Sequence, residues 1–203
     1  MYRTHFKRLS DLFFSLVLLV LVSPALLALT SFVLLLLREN PFFFQTRTGL
    51  NGKHFKIFKL KTMRTIRNES GKLLHDDLRT NRATRILRQL NLDELPQLLN
   101  ILRGEMSFIG PRPLPRRYDS IYTPVQFQRH SVRPGITGLA QISGRRSVSW
   151  RTRLELDLVY CNHLSITMDL TILFKTFLVF FDKSKSEIGV NQDPETYVPN
   201  FND

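Results

Sequence analysis

A chain of 203 residues with a formal net charge of +12 is long enough for one compact domain plus an anchor, and its surplus of cations points to anionic partners: nucleic acid, phosphorylated substrates or an acidic lipid surface. The single cysteine, Cys161, excludes an internal disulfide, and no Cys-x-x-Cys or Cys/His cluster offers a zinc site. Sixteen phenylalanines, some in runs such as Phe42-Phe43-Phe44 and Phe180-Phe181, are unusual in so basic a protein and fit contact with lipid.

Taken in chain order, the first element is an uncharged apolar run from Leu12 to Leu37. At about 1.5 Å per residue it is long enough to cross a hydrocarbon core of about 30 Å. It is too long for the apolar part of a cleavable leader and ends without a small-residue cleavage site. A plain spanning helix is one reading. Two features favour another. Ser23-Pro24 falls near the centre, where Pro24 supplies no N–H and clashes with the carbonyl of Val20, and where the Ser23 hydroxyl can take up a freed carbonyl. Both flanks are basic, with Arg3, Lys7 and Arg8 before the run and Arg38, Arg47 and Lys53 after it. The positive-inside rule then puts both ends in the cytoplasm. Together these predict a re-entrant hairpin, two short helical arms that enter and leave by one face.

After the anchor, Phe42–Arg47 and Lys53–Leu60 alternate and flank Asn51-Gly52, which predicts a β-hairpin. Residues 65–81 read as a loop, Arg82–Gln89 as a short helix and Leu92–Leu102 as a longer one closed by Gly104. Pro111, Pro113 and Pro115 enforce a stiff extended segment. Pro124–Ser131 and Trp150–Leu164 look helical, with the turn-rich stretch Arg133–Arg146 between them. Met168–Phe181 has an apolar face suited to a membrane interface, and the chain after Lys183 is polar.

Three constellations carry candidate chemistry. In Asn91-Leu92-Asp93-Glu94-Leu95-Pro96, Asn91 and Glu94 have the spacing of a capping box, so Asp93 and Glu94 are expected at a helix N-terminus. Complementing the helix dipole accounts for both acids; the sharper reading has one attack phosphorus while the other holds a metal, beside N–H groups that favour phosphate. Arg85, Arg88 and Arg112 offer planar forks for phosphate oxygens, and Pro111 and Pro113 restrict Arg112 on both sides, although a solvated basic loop has the same composition. Arg133-Pro134-Gly135-Ile136-Thr137-Gly138, with Gly144-Arg145, permits tight turns and close backbone approach but matches neither a Walker A nor a Rossmann fingerprint. His130 and His163 read as structural, and Trp150, Asp157 and Tyr160 as packing along one helical face.

These motifs in this order resemble the small monotopic phosphoglycosyl transferases, the bacterial sugar transferase family, in its minimal form. The resemblance rests on Lys7-Arg8 with Ser23-Pro24, Phe58-Lys59-Leu60-Lys61-Thr62-Met63-Arg64, Leu92 through Leu98, Gly104 through Pro113, and Val132 through Gln141 with Gly144-Arg145. It departs at Asn91, where Ser or Thr is usual, and at Glu105, where Asp is usual. The resemblance implies a mostly α, α/β fold: a re-entrant anchor over residues 1–38, a catalytic domain with interface-lying helices and a small β-hairpin over 39–182, and a tail over 183–203. It implies that Asp93 is a nucleophile, that Glu94 binds Mg²⁺, and that Pro111-Arg112-Pro113, Arg88, Lys59, Arg133 and Arg145 serve substrate. The expected reaction moves a phospho-sugar from a UDP-sugar to a membrane polyprenol (undecaprenyl) phosphate on the cytoplasmic face of the bacterial inner membrane, by a ping-pong route, as the first membrane step of glycoconjugate assembly. A homodimer is open to an interface-anchored protein of this size, and nucleic acid is not an expected partner. The alternatives are a membrane-tethered basic nucleic-acid binder, which lacks a recognisable motif, and a non-catalytic family scaffold, against which the retained acids speak.

Overall fold

The computed structural model describes residues 2–144 and 148–181; the tail expected over 183–203 and Arg145 lie outside the described residues. The apolar run forms one long helix, α1 (Lys7–Leu37), after a short π-helical turn at Tyr2–Phe6. Arg38 closes it in the left-handed region, with its N–H donating to Leu34 O at 2.9 Å. Ser23-Pro24 lies inside this element, not between two separate ones. The Ser23 hydroxyl donates to Val20 O at 2.8 Å, the carbonyl that Pro24 leaves without a partner. Among the described residues α1 is the one helix long and apolar enough to cross a membrane.

Only one stripe of α1 is covered. Asp11, Ser15, Val33 and Leu37 are buried, while Leu9, Phe13, Val20, Leu27 and Leu35 stand bare. The stripe meets the globular body along both halves. Leu19 and Val22 pack on a core of Phe55, Ile57, Leu98, Ile101 and Met106. Leu29, Val33 and Leu37 pack with Leu87 and Leu92. Near its start, Arg8 donates to the carbonyls of Ile101 (2.6 Å) and Leu102 (2.9 Å), and Asp11 accepts from Ser107 Oγ and Phe108 N–H, each at 3.1 Å.

The expected hairpin is present as β1 (Phe42–Thr48) and β2 (His54–Leu60), antiparallel, in a register that pairs Phe42 with Leu60 and Thr48 with His54. One face, with Ile57 and Phe55, closes the first core, and the same face carries Arg47 and Lys59. The outer edge of β2 is paired by a side chain. Fully buried Asn100 accepts from Phe58 N–H (3.0 Å) through Oδ1 and donates to Lys56 O (2.8 Å) through Nδ2, in place of a third strand's backbone.

After the hairpin come α2 (Asp76–Arg79), inside the stretch expected as a loop, and α3 (Arg82–Gln89), capped by a reciprocal pair of bonds between Asn81 and Thr84. The helix expected over Leu92–Leu102 is split into a 3-10 turn at Leu92–Glu94 and α4 (Gln97–Arg103), which ends at Gly104 with φ 81°. Next, β3 (Ser107–Ile109) pairs in parallel with β4 (Gly135–Thr137). This pair runs through stretches read from sequence as stiff coil and turns. Between the strands lie a 3-10 segment at Arg116–Ile121, α5 (Pro124–Phe127) and a 3-10 turn at Gln128–Ser131. Glycine is required here by contact: a Cβ on Gly135 would sit 2.1 Å from Gly110 N, and one on Gly138 would sit 2.2 Å from Gly110 O.

The remaining helices are α6 (Leu139–Ile142), α7 (Trp150–His163) and α8 (Ile166–Phe181). They form a second core of Ile109, Val132, Tyr160, Cys161 and Ile172. Lys7, Tyr2 and Tyr160 all converge on buried Asp169 of α8, at 2.6, 2.6 and 2.7 Å, which ties the start of the chain to its last described helix. The opposite face of α8 leaves Leu170, Leu173 and Phe174 bare. The architecture is therefore mostly helical, with two small two-stranded sheets and one long apolar N-terminal helix.

Candidate active site

The chain leaves α3 through Asn91, whose φ of 54° and ψ of 21° turn it sharply into the 3-10 segment that carries both acids. This corrects the capping-box expectation. Asn91 makes no side-chain cap; instead its carbonyl accepts from Glu94 N–H at 3.1 Å. The left-handed conformation, which asparagine tolerates better than most residues, occupies the position that a capping residue holds in extended form. Adjacent side chains of a 3-10 turn diverge by about 120°, and the two acids meet different surroundings.

Glu94 is pinned. Lys59 Nζ (2.5 Å) and Arg112 Nη2 (2.7 Å) both contact its Oε1. Burial acts upward on this carboxyl, yet Arg112 and Lys59 together hold it down to about 2, so it is ionised across the physiological range. Asp93 is buried next to it, and no side chain among the described residues hydrogen-bonds its carboxylate. Burial pushes the Asp93 carboxyl above its usual range; Lys59 opposes that and the Glu94 charge adds to it. One acid is thus a fixed anion and the other a poorly solvated carboxylate that accepts from its own backbone N–H and from no side chain among the described residues. Burial likewise pushes the Lys59 ammonium down, against the attraction of Glu94.

The sequence reading is met unevenly. Lys59, Asp93, Glu94 and Arg112 form one connected group. Pro111 and Pro113 flank Arg112 and are buried, whereas the Arg112 side chain is half-exposed and reachable by a ligand. Arg88 ends α3 as an exposed cation whose charge acts on Asp93 without a direct contact. Arg133 is turned elsewhere: its Nε donates to Gly104 O at the end of α4, at 2.9 Å. Arg145 falls outside the described residues. Three residues that the sequence reading did not assign to the site, Arg47, Arg129 and Asp157 (the last read as packing), support it. Arg47 on β1 donates to Pro113 O at 3.0 Å. Arg129 donates to Arg112 O at 2.8 Å and forms a buried ion pair with Asp157 at 2.6 Å. The signal for the pair was an acid in α7 on the same face as Leu154, Tyr160 and Cys161, where an unpartnered charge would be costly.

Residues 2–183 match the family model described as bacterial sugar transferase. The chain belongs to the bacterial sugar transferase family. This sugar transferase is 45% identical over 170 residues to a protein of Bacillus subtilis (strain 168) named "Uncharacterized sugar transferase EpsL", with 84% of each chain covered. It is 38% identical over 190 residues to a UDP-glucose:undecaprenyl-phosphate glucose-1-phosphate transferase of Klebsiella pneumoniae, covering 88% of this chain but 41% of that protein. A UDP-N-acetylgalactosamine-undecaprenyl-phosphate N-acetylgalactosaminephosphotransferase of Aeromonas hydrophila is 35% identical over 179 residues, with 84% of this chain and 42% of that protein covered. This sugar transferase therefore spans less than half the length of those two relatives.

Proposed function

We propose that this chain transfers a sugar phosphate from a UDP-sugar to membrane undecaprenyl (polyprenol) phosphate, releasing UMP and forming a polyprenyl-diphosphate sugar. The observation that carries this reading is the unequal pair of acids: an ionised Glu94 clamped by Lys59 and Arg112, beside an Asp93 whose carboxylate no side chain among the described residues engages by a hydrogen bond. Cations at Arg47, Lys59, Arg88 and Arg112 compensate the charge of a diphosphate brought to such a pair. The relatives named for undecaprenyl-phosphate sugar transfer supply the reaction class.

The chemistry follows from the two roles. An Asp93 oxygen attacks the phosphorus bonded to the sugar. A new P–O bond forms, the P–O bond to UMP breaks, and UMP leaves with the electron pair, its charge met by Arg112 and its neighbours. An oxygen of the polyprenol phosphate then attacks the same phosphorus and frees the Asp93 carboxylate, so the kinetics are ping-pong. Glu94 fits a Mg²⁺ ion. Its carboxylate is ionised, and both cation contacts fall on Oε1, leaving Oε2 without a hydrogen bond among the described residues. Mg²⁺ is commonly held by one or two carboxylates plus substrate phosphates, so no cluster of three acids is needed, and none is present among the described residues. Bound there, the ion would neutralise charge on the diphosphate.

The acceptor carries a lipid tail, so the nucleophile must meet it at the bilayer surface. Leu92, the residue before Asp93, packs against the cluster that Val33 and Leu37 of the apolar helix form with Leu87. Both halves of α1 contact the same globular body. A helix that crossed about 30 Å of hydrocarbon would carry one half away from that body, which supports a re-entrant, monotopic anchor; the basic residues on both flanks of the run favour the cytoplasmic face for the catalytic domain. Trapping with donor alone tests the reading. Wild type incubated with a UDP-sugar and Mg²⁺ should release one equivalent of UMP and gain a phospho-sugar mass on the peptide containing Asp93. A folded Asp93→Asn protein should do neither, and turnover by that variant would sink the proposal.

A further inference from the structure

The segment Pro111-Arg112-Pro113 is held by its backbone to an unusual degree. Each of its three carbonyls accepts a hydrogen bond from a different part of the fold: Pro111 O from Gly135 N–H at 3.0 Å, Arg112 O from Arg129 Nη2 at 2.8 Å, and Pro113 O from Arg47 Nη1 at 3.0 Å. Two of the three residues also have φ fixed by a proline ring. The side chain between them is the one that reaches Glu94 and stays half-exposed.

Arg129 is the costly member of this arrangement. It is 2% exposed, and its Nε and Nη2 both bond Asp157 Oδ2, at 3.0 and 2.6 Å, while Asp157 is itself 3% exposed. A buried ion pair regains its desolvation cost only in part, and an apolar pair of similar volume is often as stable. What an apolar pair lacks is a donor for the Arg112 carbonyl. Neither Arg129 nor Asp157 hydrogen-bonds Asp93, Glu94 or Lys59 among the described residues, and the bond from Arg129 to the Arg112 carbonyl is their direct link to that group.

We propose that the buried Arg129–Asp157 pair is a positioning device for the transfer reaction: Asp157 orients Arg129, Arg129 fixes the Arg112 carbonyl, and the Arg112 guanidinium is thereby aimed at Glu94 and at the diphosphate of the donor. This rests on the function proposed above. It assigns the pair a role in donor recognition and not in the bond-making step, because a misdirected Arg112 loses hold of the donor while Asp93 keeps its own surroundings.

The test is a mutant cycle on the full chain in detergent or nanodiscs, reading UMP release against donor concentration. The neutral replacement Arg129→Met with Asp157→Leu removes both buried charges and should stay folded by circular dichroism and gel filtration. It should raise the donor KM by about tenfold or more, equivalent to about 1.4 kcal/mol, with a smaller change in kcat. Arg112→Ala should raise it further. Added to Arg112→Ala, the neutral replacement should cost less than about twofold more, since two residues acting through one contact are not additive. The conservative Asp157→Asn, which keeps shape and an acceptor, should fall between wild type and the neutral replacement, and it serves as the perturbation in the cycle if the replacement does not fold. An unchanged donor KM, or a full additional loss in the Arg112→Ala background, would overturn the assignment. A wild-type chain that releases no UMP from any UDP-sugar would instead defeat the function itself, and this inference with it.

Discussion

Two neighbouring carboxyls differ because cations contact one directly and act on the other only from a distance. Glu94 has two on a single oxygen; Asp93 has burial and a neighbouring negative charge. The proposed attack needs Asp93 ionised, and burial holds its carboxyl above the usual range of about 4. Activity should therefore fall on acidification at a pH above that of an ordinary aspartate, and the acid limb of the kcat/KM profile measures it. The sign for stability is the reverse. A carboxyl with a raised folded-state value binds its proton more tightly folded than unfolded, so ionising it as the pH rises destabilises the fold. Asp93→Asn should then melt at the same temperature as wild type or higher at neutral pH, by differential scanning fluorimetry, while losing transfer. A marked drop in Tm would mean that the buried carboxylate stabilises the fold. At this scale the sequence singled out Asp93, Glu94, Lys59 and Arg112 through their separate short motifs, and the fold brings Lys59 and Arg112 onto Glu94. It could not show that Arg133 turns to Gly104, because that contact spans 29 residues of chain and depends on where α4 ends.

Among the elements, those with local periodicity were legible. The hairpin followed from alternation around Asn51-Gly52, and α3 occupies the span Arg82–Gln89 that its pattern indicated. The parallel pair β3–β4 was not legible, since each strand is three residues long and the pairing depends on glycines brought together from distant stretches. Nor was the 3-10 turn, because the capping-box spacing at Asn91 suits an extended residue and the chain there is left-handed. Gly135→Ala tests the glycine account. Its methyl would meet Gly110 N at 2.1 Å and Thr137 O at 2.4 Å, both backbone atoms that cannot step aside. The variant should lose about 3 kcal/mol, the upper end of ordinary overpacking, and with it the bond from Gly135 N–H to Pro111 O. Denaturant unfolding at wild-type stability would refute the close packing.

For the whole molecule, the decisive question is which side of the bilayer each end of α1 occupies. Its two halves grip one body, and the first is further tied through Lys7 to Asp169 of α8. The native Cys161 is buried, so single cysteines placed at Tyr2 and at Asp203 can be read separately. Both should resist a membrane-impermeant maleimide in intact cells and react after lysis. Labelling at position 2 from outside, with position 203 protected, would mean a spanning helix. Charge and the apolar run made membrane association legible from sequence; the packing of both halves of α1 on one domain was not, because it depends on side chains as far apart as Leu19 and Leu98 meeting in the same core.

A two-stranded ribbon ordinarily leaves two rims of unpaired amides and carbonyls, each able to recruit a strand from another molecule. Here the carboxamide of Asn100 takes up one amide and one carbonyl in the middle of the β2 rim, Phe58 N–H and Lys56 O. A strand offered to that flank would have to displace those two bonds, and the residue that makes them belongs to the short helix that follows the acidic turn.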